Sequence, residues 1–426
     1  MSNSDSNVDG NNSDVNDSFV QFACPGCDAQ LKVKASMAGN DIKCPKCERV
    51  SKITVDPTDS NAPAPAVSPP AVAAAPIAAA PTAAAPSPVT VTTSSQSPVD
   101  PRLIGEQTET RELYVRICNE VAKIFVGQNE LVEGTLVALF SGGHVLIESV
   151  PGLGKTLFVR TLGKILGCDF GRIQFTADLM PSDITGAPIF NMKSQEFEFR
   201  PGPVFTQLLL ADEINRSPAK THAALLEIMQ EKRVTVDGKT HNLNLPFLVV
   251  ATQNPIESEG TYSLPEAQLD RFMFKLVAQY PSEKQEAEIL TMHGGQVDLS
   301  ARLDSEIQCV TSPEEIQRIT EANSNVRIDP LLIDYINKIV RLTRDWPQFY
   351  MGASPRAGIS LMQGARTLAA FYGRDFAVPD DVVQIAVPVL RHRVMLTAEA
   401  EVEGQTADQL LSDLIRTIEV PRIKEG

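Results

Sequence analysis

An apolar run, HVLIE (144–148), leads directly into Ser149-Val150-Pro151-Gly152-Leu153-Gly154-Lys155-Thr156. LFVRTLGKIL (157–166) follows, repeating its apolar residues at helical spacing. Strand, glycine-containing loop and helix, in that order, are what a phosphate-cradling loop requires. The loop's backbone N–H groups point at a β-phosphate and the helix N-terminus adds partial positive charge. Lys155 reaches the β- and γ-oxygens, and Thr156 can hold Mg²⁺. The pattern G-x-x-x-x-G-K-[ST] has Ser149 in place of its first glycine. Serine has less backbone freedom, so altered affinity or turnover is expected. The plainer alternative is a loop that only turns the chain.

A second run, QLLLA (207–211), ends in Asp212-Glu213, 57 residues after Lys155. At the end of a parallel strand the first carboxylate can join a Mg²⁺ shell, and the second can orient and deprotonate water beside a γ-phosphate; a buried structural acid pair is the alternative. A third run, FLVVATQN (247–254), ends in Asn254, expected between the first two loops and able to position that water. Arg271, in LPEAQLDRF (264–272), could stabilise γ-phosphate charge on a neighbouring subunit's nucleotide, or form an ion pair with Asp270 or Glu266. Arg356 follows the helix start Ser354-Pro355. A cation there opposes the helix dipole at a cost of about 0.3–1 kcal/mol, which a nearby phosphate would offset.

ESVPGLGKT, LLLADEINRSPAKTHAALLEIMQE, ATQNP, LPEAQLDRFMFK and GASPRA, in this order and spacing, resemble the MoxR family of AAA+ ATPases over about residues 105–425. The resemblance implies Walker A roles for Lys155 and Thr156 and Walker B roles for Asp212 and Glu213. It makes Asn254 sensor 1, Arg271 the arginine finger and Arg356 sensor 2, with Val126-Gly127-Gln128 bordering the adenine. DLMPSDITGAPIF (178–190) through FEFRPGPVF (197–205) is similar to the family's helix-2 insert, and VTVDGKTHNLNLP (234–246) to its hairpin before sensor 1. By the same resemblance the expected activity is ATP hydrolysis by a homo-oligomeric ring, a hexamer. It would remodel a protein client in a chaperone-like way, alongside a von Willebrand factor A domain protein.

The three apolar runs read as strands buried on both faces, hence parallel, and helical patterns alternate with them, so the class is α/β. Ser217-Pro218 is expected to start a helix with Leu225, Ile228 and Met229 on its inner face. After Tyr280 only helix starts are seen: Ser282 with Gln285, Ser312 with Glu315, Asp329-Pro330 and Ser354-Pro355. The expected organisation is therefore a P-loop αβα domain over 105–280 and a helical lid over 281–426, with hydrolysis driving motion between them.

Upstream, 1–18 is an Asn/Ser/Asp tail that cannot bury enough surface to order itself. Residues 56–104 form a spacer, with nine Pro and thirteen Ala between 61 and 100, a mixture that favours solvated polyproline II. Between them, in 19–55, lie Cys24-Pro-Gly-Cys27 and Cys44-Pro-Lys-Cys47, with sixteen residues between the two motifs. The spacing matches a four-cysteine Zn²⁺ ribbon, whose metal would supply much of the folding free energy of so short a segment; two redox C-x-x-C sites are the rival. Cys118, Cys168 and Cys309 are expected as core thiols. No histidine has a metal-ligand spacing.

With 38 Lys+Arg against 53 Asp+Glu the chain carries a net charge of -15, which repels phosphate backbones and anionic lipid. Nucleic acid is thus an unfavoured partner, although a nucleic-acid-associated factor recruited through the ribbon is the second reading. A nucleotide-gated scaffold with little turnover, suggested by Ser149, is the third. No apolar run of 18 residues and no signal-peptide layout is present, so no membrane insertion and a cytoplasmic location are expected.

Overall fold

The structure is a computed structural model. It describes residues 106–254, 262–294 and 299–421, together with residue 46 and the backbone of four short strands near the N-terminus. Those strands pair as two antiparallel hairpins, β1 (Phe19–Ala23) with β2 (Gln30–Lys34) and β3 (Asp41–Lys43) with β4 (Val50–Lys52). Cys24, Cys27, Cys44 and Cys47 lie outside the described residues, as do the expected tail and spacer.

The larger unit is built on a five-stranded parallel sheet: β5 (Val145–Glu148), β6 (Phe170–Gln174), β9 (Leu208–Asp212), β12 (Leu248–Gln253) and β13 (Phe274–Val277), in the spatial order β13-β5-β12-β9-β6. Successive side chains of a strand face opposite ways, and here both ways lead into apolar packing. Val145, Ile147, Leu208, Leu210, Leu248 and Val250 enter one core, while Leu146, Leu209, Ala211, Val249 and Ala251 enter another. This two-sided burial is why the strands read as unbroken apolar runs rather than alternating ones.

The first core is closed by α1 (Glu109–Ala122), α2 (Asn129–Phe140) and α3 (Lys155–Leu166), and continues without a break into the C-terminal helices. The second lies under α4 (Pro181–Thr185) and α5 (Ala219–Glu231). Two hairpins flank this side, β7 (Gly186–Asn191) with β8 (Glu196–Pro201), and β10 (Arg233–Val236) with β11 (Lys239–Asn242). Phe190 and Phe197 sit opposite each other on the first hairpin, ring centroids 5.3 Å apart, both exposed, with Met192 87% exposed at the tip.

Beyond α6 (Glu266–Leu269) and β13 the chain is mainly helical: α7 (Glu283–His293), α8 (Leu299–Glu306), α9 (Pro313–Ser324), α10 (Pro330–Asp345), α11 (Pro355–Phe371), α12 (Pro379–Leu390), α13 (Ala398–Val402) and α14 (Ala407–Thr417). These helices make up the helical region expected after residue 280. Ser282 and Gln285 form the expected capping box, and Asp329 and Ser354 accept the N–H groups of Leu331 and Arg356.

Several expectations need correction. A strand pair does occur after residue 280, β14 (Phe349–Met351) with β15 (Met395–Leu396), too short to leave an alternating pattern. The helix expected from Ser217 is capped by Pro218, whose ψ of 155° keeps it extended, and begins at Ala219; Leu225, Ile228 and Met229 are buried as expected. Ser312 caps α9, but the Glu315 carboxylate accepts the Thr311 hydroxyl instead of completing the box. Cys168 is a buried thiol and Cys118 is half-buried, but Cys309 is exposed, because it lies in the connection before α9 rather than in a helix face. No helix among the described residues is long and apolar enough to cross a membrane.

Candidate functional site

Parallel strands end on the same edge of a sheet, and three adjacent strands bring the expected site together there. β12 pairs with β5 on one side and β9 on the other. The loop 149–156 leaves β5, Asp212 and Glu213 leave β9, and Asn254 leaves β12 between them, as its place in the sequence suggested.

The loop turns on two glycines. Gly152 and Gly154 have φ of 88° and 72°, left-handed values that favour glycine. Gly154 caps α3 and makes no side-chain cap hydrogen bond, and nothing lies within 4 Å of a Cβ placed on Gly152. Ser149 is absent from the positive-φ residues, so the backbone here does not need the glycine that the motif carries. Its hydroxyl is buried without a hydrogen-bond partner.

Val126-Gly127-Gln128 joins α1 to α2. Gly127 (φ 76°) and Gln128 (φ 53°) are both left-handed, and the Gln128 Oε1 is buried and unpartnered. Phe125, just before them, packs on Phe158 of α3 with ring centroids 4.9 Å apart, tying this segment to the helix that begins with Lys155 and Thr156.

The acids are held by residues that sequence reasoning did not single out. The Thr252 hydroxyl, fully buried at the end of β12, donates to Asp212 Oδ1 at 2.7 Å and accepts the Glu213 N–H at 2.9 Å. Arg172, on β6, places Nη2 2.6 Å from Asp212 Oδ2. Glu213 adopts a left-handed backbone (φ 56°, ψ 49°), a strained conformation of the kind found at functional sites. Its Oε2 accepts Gln174 Nε2 at 2.7 Å and pairs with Arg216 Nε at 3.1 Å. Arg172 and Gln174 share one face of β6, and that R-x-Q spacing was the available signal. Asn254 is buried, its carbonyl receiving Asn215 Nδ2 at 3.5 Å.

Arg271 adjoins Asp270 in the chain, and Arg356 stands in the helix whose cap Asp270 holds. Arg271 follows the end of α6, and its Nη1 donates to the Leu226 carbonyl at 2.7 Å, in place of the alternative ion pair with Asp270 or Glu266. It borders a 350 Å³ recess with Leu226, Glu227, Gln230 and Gln268. Asp270 accepts the hydroxyl of Ser354, the cap of the helix in which Arg356 is the second residue, and pairs with the buried Arg393. Burial draws Arg393 down to about 10, the Asp270 carboxylate opposing and the Arg356 charge reinforcing the shift. Arg356 itself is exposed.

His144, immediately before β5, is buried. The Val249 N–H donates to its Nδ1 at 3.1 Å, which leaves the proton on Nε2 to donate to the Met229 carbonyl at 3.0 Å. Burial draws its pKa down to about 4, so it is a neutral pin between β12 and α5. Among the described residues no group of three or more His, Cys, Asp or Glu could hold a metal ion.

Comparison with known proteins agrees with this geometry. Residues 144–274 match the family model described as "ATPase family associated with various cellular activities (AAA)", and residues 341–414 the AAA lid domain. The chain is 44% identical to the uncharacterized protein YeaC of Bacillus subtilis, over 74% of this chain and 97% of that protein. It is 43% identical to the chaperone MoxR1 of Mycobacterium tuberculosis, over 71% and 81%, and 30% identical to the protein MoxR of Methylorubrum extorquens, over 73% and 95%. The crystal structure of a candidate ATPase from Cytophaga hutchinsonii superimposes with a TM-score of 0.68 at 40% identity, covering 74% of this chain and 96% of that one.

Proposed function

The chain belongs to the MoxR family of AAA+ ATPases and hydrolyses ATP, and from that premise we propose that it is a ring-forming, chaperone-like remodeller. The observation carrying this reading is the convergence of the 149–156 loop, Asn254 and Asp212-Glu213 at the ends of three neighbouring parallel strands.

In this reading the amides of Ser149, Val150, Pro151's successor Gly152, Leu153, Gly154, Lys155 and Thr156 cradle the phosphates, the Lys155 ammonium neutralises the β- and γ-oxygens, and Val126, Gly127 and Gln128 border the adenine. The fit rests on the left-handed Gly152 and Gly154 of the loop and on the two unpartnered buried oxygens, Ser149 Oγ and Gln128 Oε1. A hydroxyl and a carboxylate are hard oxygen donors suited to Mg²⁺, which Thr156 and Asp212 would hold. An ion held there would supply positive charge against that of the phosphates. Asn254 and Glu213 orient a water whose oxygen forms the new bond to the γ-phosphorus while Glu213 takes its proton. The bond from phosphorus to the bridging oxygen breaks, and ADP leaves with that electron pair. Arg271 from the neighbouring subunit and Arg356 meet the γ-phosphate charge; an arginine finger supplies about 10³–10⁵ in rate.

The ring is read as a homo-hexamer acting on a protein client, with a von Willebrand factor A domain protein as companion. The exposed Phe190, Phe197 and Met192 of the β7–β8 hairpin suit contact with an apolar client segment. A Zn²⁺ ribbon on Cys24, Cys27, Cys44 and Cys47 would recruit a partner. In support, each C-x-x-C falls between the two strands of an antiparallel pair.

Steady-state phosphate release by wild type and by Glu213→Gln tests the catalytic assignment. A loss of at least about 10²-fold is expected with ATP binding intact, and equal rates would sink it. Light scattering of Glu213→Gln with ATP and Mg²⁺ reads the assembly, and a monomer under all nucleotide conditions argues against the ring.

A further inference from the structure

The short segment carrying Arg271 is gripped by the helical domain more extensively than its position at the end of α6 requires. Asp270 Oδ1 pairs with Arg393 Nε at 2.9 Å, and its Oδ2 accepts the Ser354 hydroxyl at 2.9 Å. Arg393, 2% exposed in its side chain, then spreads its remaining donors over the same segment. Its Nη2 reaches the Phe272 carbonyl at 2.7 Å and the Asp270 carbonyl at 3.3 Å, and its Nη1 reaches the Met273 carbonyl at 3.3 Å. His392 Nε2 lies 3.0 Å from the Phe272 carbonyl as well. Arg393 is anchored to its own helix end by the Val389 carbonyl at 2.7 Å and to α11 by the Ser360 hydroxyl at 3.2 Å.

Two domains therefore hold the arginine from opposite sides. The guanidinium of Arg271 is bonded to the Leu226 carbonyl of α5, under the sheet. The segment on which it stands is bonded to Ser354, the cap of α11, through the Asp270 carboxylate, and its backbone carbonyls to His392 and Arg393 just past α12. Asp270 is the junction, since its carboxylate compensates the buried Arg393 charge and takes the Ser354 hydroxyl that also caps the helix bearing Arg356. A charged, multiply bonded and largely desolvated junction is stiff, because breaking either partner leaves the other charge buried and unpaired.

Resting on the shared-site reading above, we infer that Asp270 is a positioning residue for Arg271. Through Ser354 and Arg393 it fixes the arginine to the helical domain, so that the finger is presented to the neighbouring subunit's nucleotide at a set place. It does not touch the nucleotide bound by its own chain. Asp270 and its partners thus serve the site next door, while the acids on β9 serve their own.

Mixed rings of full-length subunits test this. Asp270→Asn is expected to lose turnover about 10²-fold, the scale of a misplaced catalytic group, with ATP affinity unchanged. Mixing it with Lys155→Ala, whose finger is intact but whose own site is empty, should restore turnover, as mixing Arg271→Ala with Lys155→Ala should. Asp270→Asn mixed with Arg271→Ala should stay inactive. If Arg271→Ala is rescued and Asp270→Asn is not, although both assemble, the inference is overturned and the shared site stands. If neither is rescued, the shared site itself falls. Should Asp270→Asn not fold, Ser354→Gly decides. Glycine is a tolerated helix cap but cannot reach Asp270, and a loss of about tenfold rescued by Lys155→Ala is expected, whereas unchanged turnover overturns the inference.

Discussion

Arg172 Nη2 lies 2.6 Å from Asp212 Oδ2, so the carboxylate proposed to hold Mg²⁺ already has a cation beside it. The pair joins adjacent parallel strands, with Arg172 registered against Leu210 and Gln174 against Asp212. Arg172 is 45% exposed, and water screens an ion pair of that kind to about 0.2–1 kcal/mol. It is a competitor for a metal, and a weak one.

Replacing Arg172 by methionine is therefore expected to lower the Mg²⁺ concentration for half-maximal phosphate release by about two- to fivefold, the equivalent of that pair energy. A Mg²⁺ titration at saturating ATP measures it. A higher requirement in the variant would mean that Arg172 orients Asp212 for the metal instead of competing with it.

Ser149→Gly restores the first glycine of the loop motif, yet turnover is expected to stay within about threefold of wild type, because the native φ at 149 does not call for glycine. Steady-state phosphate release checks this. A rise of an order of magnitude would revive the scaffold reading, in which Ser149 holds turnover down.

Stability should fall on acidification through His144. With a pKa drawn down to about 4 against a usual 6.5, the unfolded chain binds more protons between those values, so unfolding is favoured as pH drops through 6.5 toward 4 and the effect is absent above. His392, also buried and drawn well below its usual value by burial, acts in the same direction. For His144 alone the change from pH 7 to pH 5 is about 2 kcal/mol. Urea unfolding at the two pH values should show that much less pH dependence in His144→Gln, and an identical dependence would rule out His144 as the source.

For the N-terminal cysteines the expectation is about one Zn²⁺ per chain, lost with Cys24→Ser or Cys44→Ser. Chelation is expected to release it without reducing phosphate release, and elemental analysis alongside the ATPase assay reads both. A metal-free chain as purified from zinc-supplemented medium would remove the ribbon reading.

The central strands were legible because each is buried on both faces, which leaves an uninterrupted apolar run. Phe170–Gln174 and Phe274–Val277 at the sheet's edges carry polar residues such as Arg172, Gln174 and Lys275 and give no such run. The loop, the two acids and Asn254 were legible because strand-end chemistry follows local order. Thr252 was passed over because a threonine at a strand end has no chemistry of its own until its hydroxyl is seen spanning Asp212 and Glu213. The Asp270–Arg393 pair spans 123 residues, a separation that no local pattern reports. The exposure of Cys309 was misread for a related reason, since apolar neighbours in sequence need not surround a residue in space.

The core that begins on one face of the sheet and runs unbroken into α9, α10, α11, α12 and α14 has a mechanical meaning. A hinge needs a seam with few contacts, and a seam between the sheet and these helices would run through that core. Opening one would expose apolar area at roughly 25 cal/mol per Å². Motion of the helical domain against the sheet, expected to accompany hydrolysis, would have to work against that burial.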